Sequence, residues 1–435
     1  MGLLRLTELR YSLSMKKHVD VIIVGGGAAG FFAAIQLKSK SPTASVLILE
    51  AAAKPLGKVL ISGGGRCNVT HGCLDNALLV QSYPRGQKEL KGVFHRFSVK
   101  DTLAWFESQG VRLKKEADGR MFPTTDQSET IANALQTAAR QLGVQIQTQC
   151  RVENITRHGA GYLIKTQQQQ WQVPILLLAT GGAKATYSWL EAMGHSIVAP
   201  VPSLFTFHIH DKALTELAGI SLPHVSASIH FSPEQKSKKT TPQSGPLLIT
   251  HWGLSGPVIL RLSAWGARDL ANSAYEAQLV IDLIPERSLE AMSAMLLEKK
   301  QQAIEKKRTA QVGNDFPLDF PKRFTHYLLQ HVQIDPAMRW FDVSDKALRR
   351  LAETLKRLTL TVKGKSLYKE EFVTAGGVDL KEVNLATLES RQCPGLFFAG
   401  ELLNVDGLTG GFNFQNAWST GAIAGWAMAE RFDAI

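Results

Sequence analysis

The residues best placed to do chemistry begin with Gly25-Gly26-Gly27-Ala28-Ala29-Gly30, which satisfies the GxGxxG spacing. In such a run the first glycine permits a tight turn, the second lets backbone N–H groups approach a pyrophosphate, and the third lets a helix lie close on its strand. Val19 to Val24, apolar and rich in β-branched residues, reads as a strand buried on both faces, and Phe31 to Lys38 as a helix whose amino terminus would face the phosphates. A second apolar strand from Ser45 ends in Glu50, about twenty residues beyond Gly30, the spacing at which an acid grips a ribose hydroxyl. Glu50 favours an unphosphorylated ribose. An ordinary strand-turn-helix ending in a chance glutamate is the competing account.

The segment from Lys58 to Asn68 holds three consecutive glycines between Ser62 and Arg66. Such a run gives up chain entropy for close backbone approach, and its N–H groups can form an anion-binding concavity. Lys58, Ser62, Gly64, Gly65, Arg66, Cys67 and Asn68 are therefore assigned to a cofactor contact, against the alternative of a flexible loop. Farther on, Asp126-Gln-Ser-Glu129 resembles a capping box opening a helix that stops at Gly143. Val144 to Ile155 reads as a strand, with Val152 on the cofactor side, and Tyr162 to Lys165 with Trp171 to Leu178 as a hairpin. Thr180 and Gly181 then suit a second close pass of backbone to the same dinucleotide, or a plain turn.

At the carboxyl end a strand from Gly395 closes in Gly400 and Glu401, and Gly410-Gly411-Phe-Asn413-Phe-Gln415 leads into an apolar helix. An acid there can hold a ribityl hydroxyl. A helix amino terminus can face the carbonyl edge of a flavin, where negative charge accumulates on reduction. Asn413 and Gln415 are assigned to the same cofactor, FAD. A small-residue helix packed on the sheet explains the glycines without explaining these polar neighbours.

Gly25 to Gly30, Ser62 to Asn68, Arg120-Met-Phe-Pro123, Thr250-His-Trp-Gly-Leu-Ser-Gly-Pro257, Thr374-Ala-Gly-Gly-Val378 and the Gly400 to Gln415 block occur in that order. Together they resemble the BaiN/RdsA-type NAD(P)/FAD-dependent oxidoreductases (YhiN-like flavoproteins), over nearly everything from Met15 onward. The resemblance implies FAD and a flavin domain interrupted by a β-rich and a small helical domain. It also implies uridine in ribosomal RNA, reduced to dihydrouridine, as a candidate substrate. Asn404 departs from the acid expected at its position, which puts any acidic role there in doubt.

Stepping outward, 435 residues that are 44% hydrophobic suffice for two or three domains with a real core. The expected fold class is α/β, a Rossmann-like FAD-binding domain of the two-dinucleotide-binding-domain type carrying inserted domains. The expected divisions are an extension at 1–14, nucleotide domain at 15–195 and 361–435, β-rich insertion at 196–282, and helical insertion and return at 283–360. The uncharged stretch Val21 to Leu37 suits a buried strand, turn and helix better than a membrane span. Four cysteines without metal spacing point to a reducing, cytoplasmic compartment.

Lys and Arg number 49 against 38 Asp and Glu, giving net charge +11 and a field that attracts polyanions such as ribosomal RNA. Lys236, Lys238 and Lys239 form one basic cluster, and Lys299, Lys300, Lys306, Lys307 and Arg308 another; each reads as a solvated face or a ligand site. No stable protein partner is expected. Cys67 is the first candidate for a reactive group near the flavin ring and His251 the second. With no second GxGxxG, NAD(P)H as electron donor would dock transiently. The favoured chemistry is reduction of a C=C bond conjugated to a carbonyl. A small-molecule enone reductase, a thiol–disulfide oxidoreductase using Cys67 and Cys73, and a flavin-binding RNA assembly factor stand as rivals.

Overall fold

The computed structural model describes residues 19–231, 240–306, 309–365 and 373–435. The expected 1–14 extension, together with Lys236, Lys238, Lys239, Lys307 and Arg308, lies outside them. Contacts divide the chain into one unit of residues 1–200 and 376–435 and a second of residues 201–375.

The first unit is a Rossmann-type α/β fold. Strands β1 (Val21–Val24) and β2 (Val46–Leu49) are buried at every residue, as their unbroken apolar sequences require in a parallel sheet covered on both faces. Between them runs helix α1 (Ala28–Lys40). The sheet order is Val383–Asn384, Glu389–Ser390, Leu396–Phe398, Ile175–Leu178, β1, β2, Gln145–Gln147. Its five central and right-hand strands are parallel, and only the first two named pair antiparallel. The carboxyl-terminal helix Phe412–Asp433 lies along α1, where Gly421 and Gly425 leave room for the backbone of Ala29 and Ala33. The uncharged stretch is therefore strand, turn and helix. No helix among the described residues is long and apolar enough to cross a membrane.

The second unit holds a closed six-stranded barrel, ordered Phe207–Ile209, Gly253–Ser255, Gln243–Thr250, Ser221–His230, Glu276–Asp282, Leu358–Lys365. Its helices include Leu289–Glu305, Lys322–His331 and Asp345–Lys356. The return to the nucleotide unit falls at 376 and not at 361, because Leu358, Leu360 and Val362 alternate inward and their strand closes the barrel on Glu276–Asp282 and Phe207–Ile209. In the second basic cluster Lys299 pairs with Asp315 at 2.9 Å and Lys300 with Asp345 at 2.6 Å, which ties these charges into the helical part.

Two local expectations are corrected, and a third segment gains a conformation. The helix Ser128–Gln141 has no side-chain cap, since Asp126 is drawn away to Lys114 and Arg66. Val144 to Ile155 is two strands, Gln145–Gln147 in the main sheet and Val152–His158 in a separate antiparallel sheet. The apolar half of the Lys58 segment is helical in α2 (Gly57–Gly65), and the chain leaves right-handed helical geometry at Ser62, Gly63, Gly64 and Gly65.

Candidate nucleotide and flavin site

The turn after β1 is closed by backbone fit. Gly25 has φ +111°, and a Cβ there would stand 2.4 Å from the Ala179 carbonyl oxygen. A Cβ on Gly30 would stand 2.1 Å from the Gly25 carbonyl oxygen, so α1 can approach β1 only without a side chain. Gly27 differs: a Cβ there meets nothing within 4 Å. It is the N-cap of α1, with no side-chain cap and no acid in the first turn, so the N–H groups around Ala28 and Ala29 open onto space. Glu50 accepts from Gly26 N–H at 2.8 Å and Ala52 N–H at 2.7 Å, which fixes its carboxylate beside that space. Cys150 N–H donates to the Glu50 carbonyl at 2.8 Å, bringing the segment that enters Val152 to the same edge.

Remote segments complete this edge. Lys58 Nζ and Glu401 Oε2, 343 residues apart, pair at 2.5 Å. Glu401 Oε2 lies 3.6 Å from where a Gly181 Cβ would stand, and Gly400 has φ +72° against the Ala29 side chain. Gly400 N–H donates to Thr420 Oγ1 at 2.9 Å, and Thr180 and Thr186 share a hydroxyl contact of 2.8 Å. The Tyr187 hydroxyl is buried with no hydrogen-bond partner among the described residues. Burial and the charge of Glu401 push its pKa up to about 12.

A second junction joins the Cys67 segment to the start of the carboxyl-terminal helix. With its amide turned to satisfy both groups, Asn68 donates to the Thr70 carbonyl at 3.0 Å and accepts from Gly411 N–H at 2.9 Å. Gly411 (φ +91°) could hold no side chain, since a Cβ would be 2.4 Å from the Thr70 carbonyl carbon. Gly410 takes φ +128° beside it. Trp418 Nε1 donates to the Val69 carbonyl at 2.9 Å, and the Tyr83 hydroxyl to the Phe412 carbonyl at 2.7 Å. His71, which the sequence reading missed, stacks on Phe412 at 4.8 Å, and its buried Nδ1 has no partner among the described residues. Burial lowers its pKa. Nothing in its residue type or spacing marked it out; only the fold brings it to this helix.

Several assigned residues already have partners within the protein or lie elsewhere in it. Asn413 is consumed locally: its amide accepts from Gly407 N–H at 2.8 Å and donates to the Gly407 carbonyl at 2.9 Å. Gln415 is fully buried, accepting from Thr70 at 2.6 Å and donating to Thr102 and Ser419, each at 2.9 Å. Arg66 is held by Glu116 at 2.7 Å and lies 4.0 Å over the Phe122 ring. Ser62 donates to the Val59 carbonyl at 3.0 Å. Cys67 has no exposed surface, and burial pushes its thiol pKa up to about 12, so it presents no thiolate at neutral pH. Both it and Cys73 are free cysteines. His251 lies on the second unit, in the exposed turn between the barrel strands Gln243–Thr250 and Gly253–Ser255. At Asn404 the side-chain oxygen is buried without a partner among the described residues.

The residues present fit a flavin dinucleotide. Beta carbons on Gly27, Gly64 and Gly65 would enter open space, and an uncapped helix terminus, Glu50, Lys58 with Glu401 and an unpartnered tyrosine hydroxyl supply phosphate- and hydroxyl-binding chemistry. Fold and comparisons together define a FAD-dependent oxidoreductase. The chain belongs to the HI0933-like protein Rossmann domain family, which matches residues 19–427. It is 30% identical to a 3-dehydro-bile acid delta(4,6)-reductase of Clostridium scindens, over 94% of this chain and 98% of that one. It is also 30% identical to a ribosomal RNA dihydrouridine synthase of Haemophilus influenzae (93% and 97% covered), and 28% identical to one of Escherichia coli (95% and 98%). Among solved structures, a 3-ketosteroid-delta4-(5alpha)-dehydrogenase of Rhodococcus jostii shares the fold, with TM-score 0.50, 14% identity, and 98% and 100% of the chains covered.

Proposed function

We propose that this oxidoreductase saturates a carbon–carbon double bond conjugated to a carbonyl, with uridine in ribosomal RNA as substrate and NAD(P)H as transient electron donor. Bound FAD supplies hydride transfer through its N5 position. The α1 terminus at Gly27, Ala28 and Ala29 would take the pyrophosphate and Glu50 a ribose hydroxyl, with Val152 beside it. Lys58, Thr180, Gly181, Gly400 and Glu401 would line the middle of the cofactor. Gly64 and Gly65 would approach it with bare backbone, and the helix terminus at Gly410 and Gly411 would stabilise negative charge on the ring.

The observation that supports the proposed cradle is the direct pairing of Lys58 with Glu401, beside Gly181, across 343 residues of chain. The substrate is supported by the relatives' names, since dihydrouridine formation and delta(4,6) reduction both saturate a carbonyl-activated alkene. Net charge +11 fits a polyanion. A paired uridine would have to leave its stack. With Cys67 buried as a thiol, His251 is the remaining candidate for the proton donor.

The bile-acid relative also favours a second reading, reduction of a small uncharged enone. Mass spectrometry of ribosomal RNA from cells with and without the protein separates the two. Loss of a two-hydrogen mass increment at a uridine in the deletion supports the RNA substrate, and unchanged RNA removes it. RNA bound without turnover by the reduced protein would make the chain an assembly factor.

A further inference from the structure

The barrel unit carries an aromatic and basic depression that includes His251 but none of the residues assigned to the cofactor. It is an open depression of about 410 Å³ lined by His208, His210, Asp211, Lys212, His251 and Trp252. Trp252 is 53% exposed, although an indole of that size is ordinarily covered in a folded domain. One side of it is backed by the His208 ring, nearly parallel at an interplanar angle of 13° and 6.3 Å between centroids.

The backbone that carries the indole is tied down. Ile209 N–H donates to the Trp252 carbonyl at 3.1 Å, and Trp252 N–H to Thr250 Oγ1 at 3.4 Å. A Cβ on the next residue, Gly253, would stand 2.3 Å from the Phe207 carbonyl oxygen, so the hairpin turn is pressed onto the neighbouring strand. The one carboxylate at the cavity is already committed, as Asp211 accepts from Leu214 N–H at 3.0 Å and from the Tyr327 hydroxyl at 2.8 Å. His210 and Lys212 are exposed beside it.

An exposed indole face with adjoining imidazoles and an ammonium is the chemistry that takes an unpaired nucleotide, the base by stacking and the phosphate by charge. We propose that this cavity on the barrel unit is an RNA-anchoring site, in which Trp252 stacks on a base of a single-stranded segment and His210 and Lys212 meet the adjoining phosphate. It rests on the RNA reading above and adds where the strand is held.

The test is fluorescence anisotropy of the full-length protein with a labelled single-stranded uridine-containing RNA oligonucleotide. Trp252→Ala should weaken binding by about tenfold or more, Trp252→Phe should keep most of it, and Lys212→Ala should flatten the salt dependence. Thermal melting and the flavin spectrum of each variant should match the parent, because the indole is half exposed. Tight RNA binding by the parent with equal affinity in Trp252→Ala would overturn the anchor and leave the RNA reading intact. No binding by the parent at low salt would remove both.

Discussion

At residues 25–30 the glycines themselves carry the geometry, whereas at residues 407–415 the polar side chains that follow the glycines do as much. In the first region, Gly25 and Gly30 are fixed by backbone contacts that no Cβ could survive, and Gly27 faces open space. In the second, Gly411 is fixed in the same way by Thr70, but Asn413 and Gln415 are spent on Gly407, Thr70, Thr102 and Ser419. A glycine requirement is local and steric. The partner of a carboxamide is decided by whatever the fold brings to it.

Replacements can break this comparison. The largest effect is expected at Gly25→Ala and Gly30→Ala, where a clash near 2 Å with backbone should cost about 3 kcal/mol or more and leave little folded flavoprotein. Gly27→Ala should instead melt within about 0.5 kcal/mol of the parent, yet lose most of its FAD affinity. Equal melting losses at Gly27 and Gly30 would erase the distinction between structural and cofactor-facing glycines.

Next comes Gln415→Leu, which removes a partner from three buried hydroxyls, Thr70 among them, and should destabilise the protein by about 2 kcal/mol in denaturant unfolding. Its flavin reduction potential should match the parent. A shifted potential at unchanged stability would return Gln415 to the cofactor.

Cys67 gives a pH signature. Its pKa is raised from 9.0 to about 12 in the folded protein, so the stability it contributes is complete below pH 9 and is lost as pH climbs from 9 towards 12. Over that range the parent's melting temperature should fall more steeply than that of Cys67→Ala. Parallel curves would mean that the thiol is not buried in solution.

A small effect on stability is also expected at Glu401→Gln. Lys58 is 61% exposed in its ion pair with Glu401, so loss of the pair should change melting by no more than about 1 kcal/mol. FAD affinity should drop, which equilibrium titration of the apoprotein would read; undiminished affinity would take Glu401 out of the site.

How far the sequence could be read follows from the same contrast. β1, β2 and α1 were legible because an unbroken apolar run, a glycine spacing and a terminal acid are one-dimensional signals. The strand Leu358–Lys365 was misplaced because its partners, Phe207–Ile209 and Glu276–Asp282, lie far off in sequence. Asp126 read as a helix cap until Lys114 and Arg66 claimed it. His71 became visible only when Phe412 was folded against it.

The central claim, that two remote segments close over one FAD, is tested most directly by the absorption spectrum of the purified protein before and after incubation with FAD and removal of excess. A retained flavin band near one cofactor per chain, abolished in Gly27→Ala, is the predicted result. Protein that stays colourless with FAD present would contradict it.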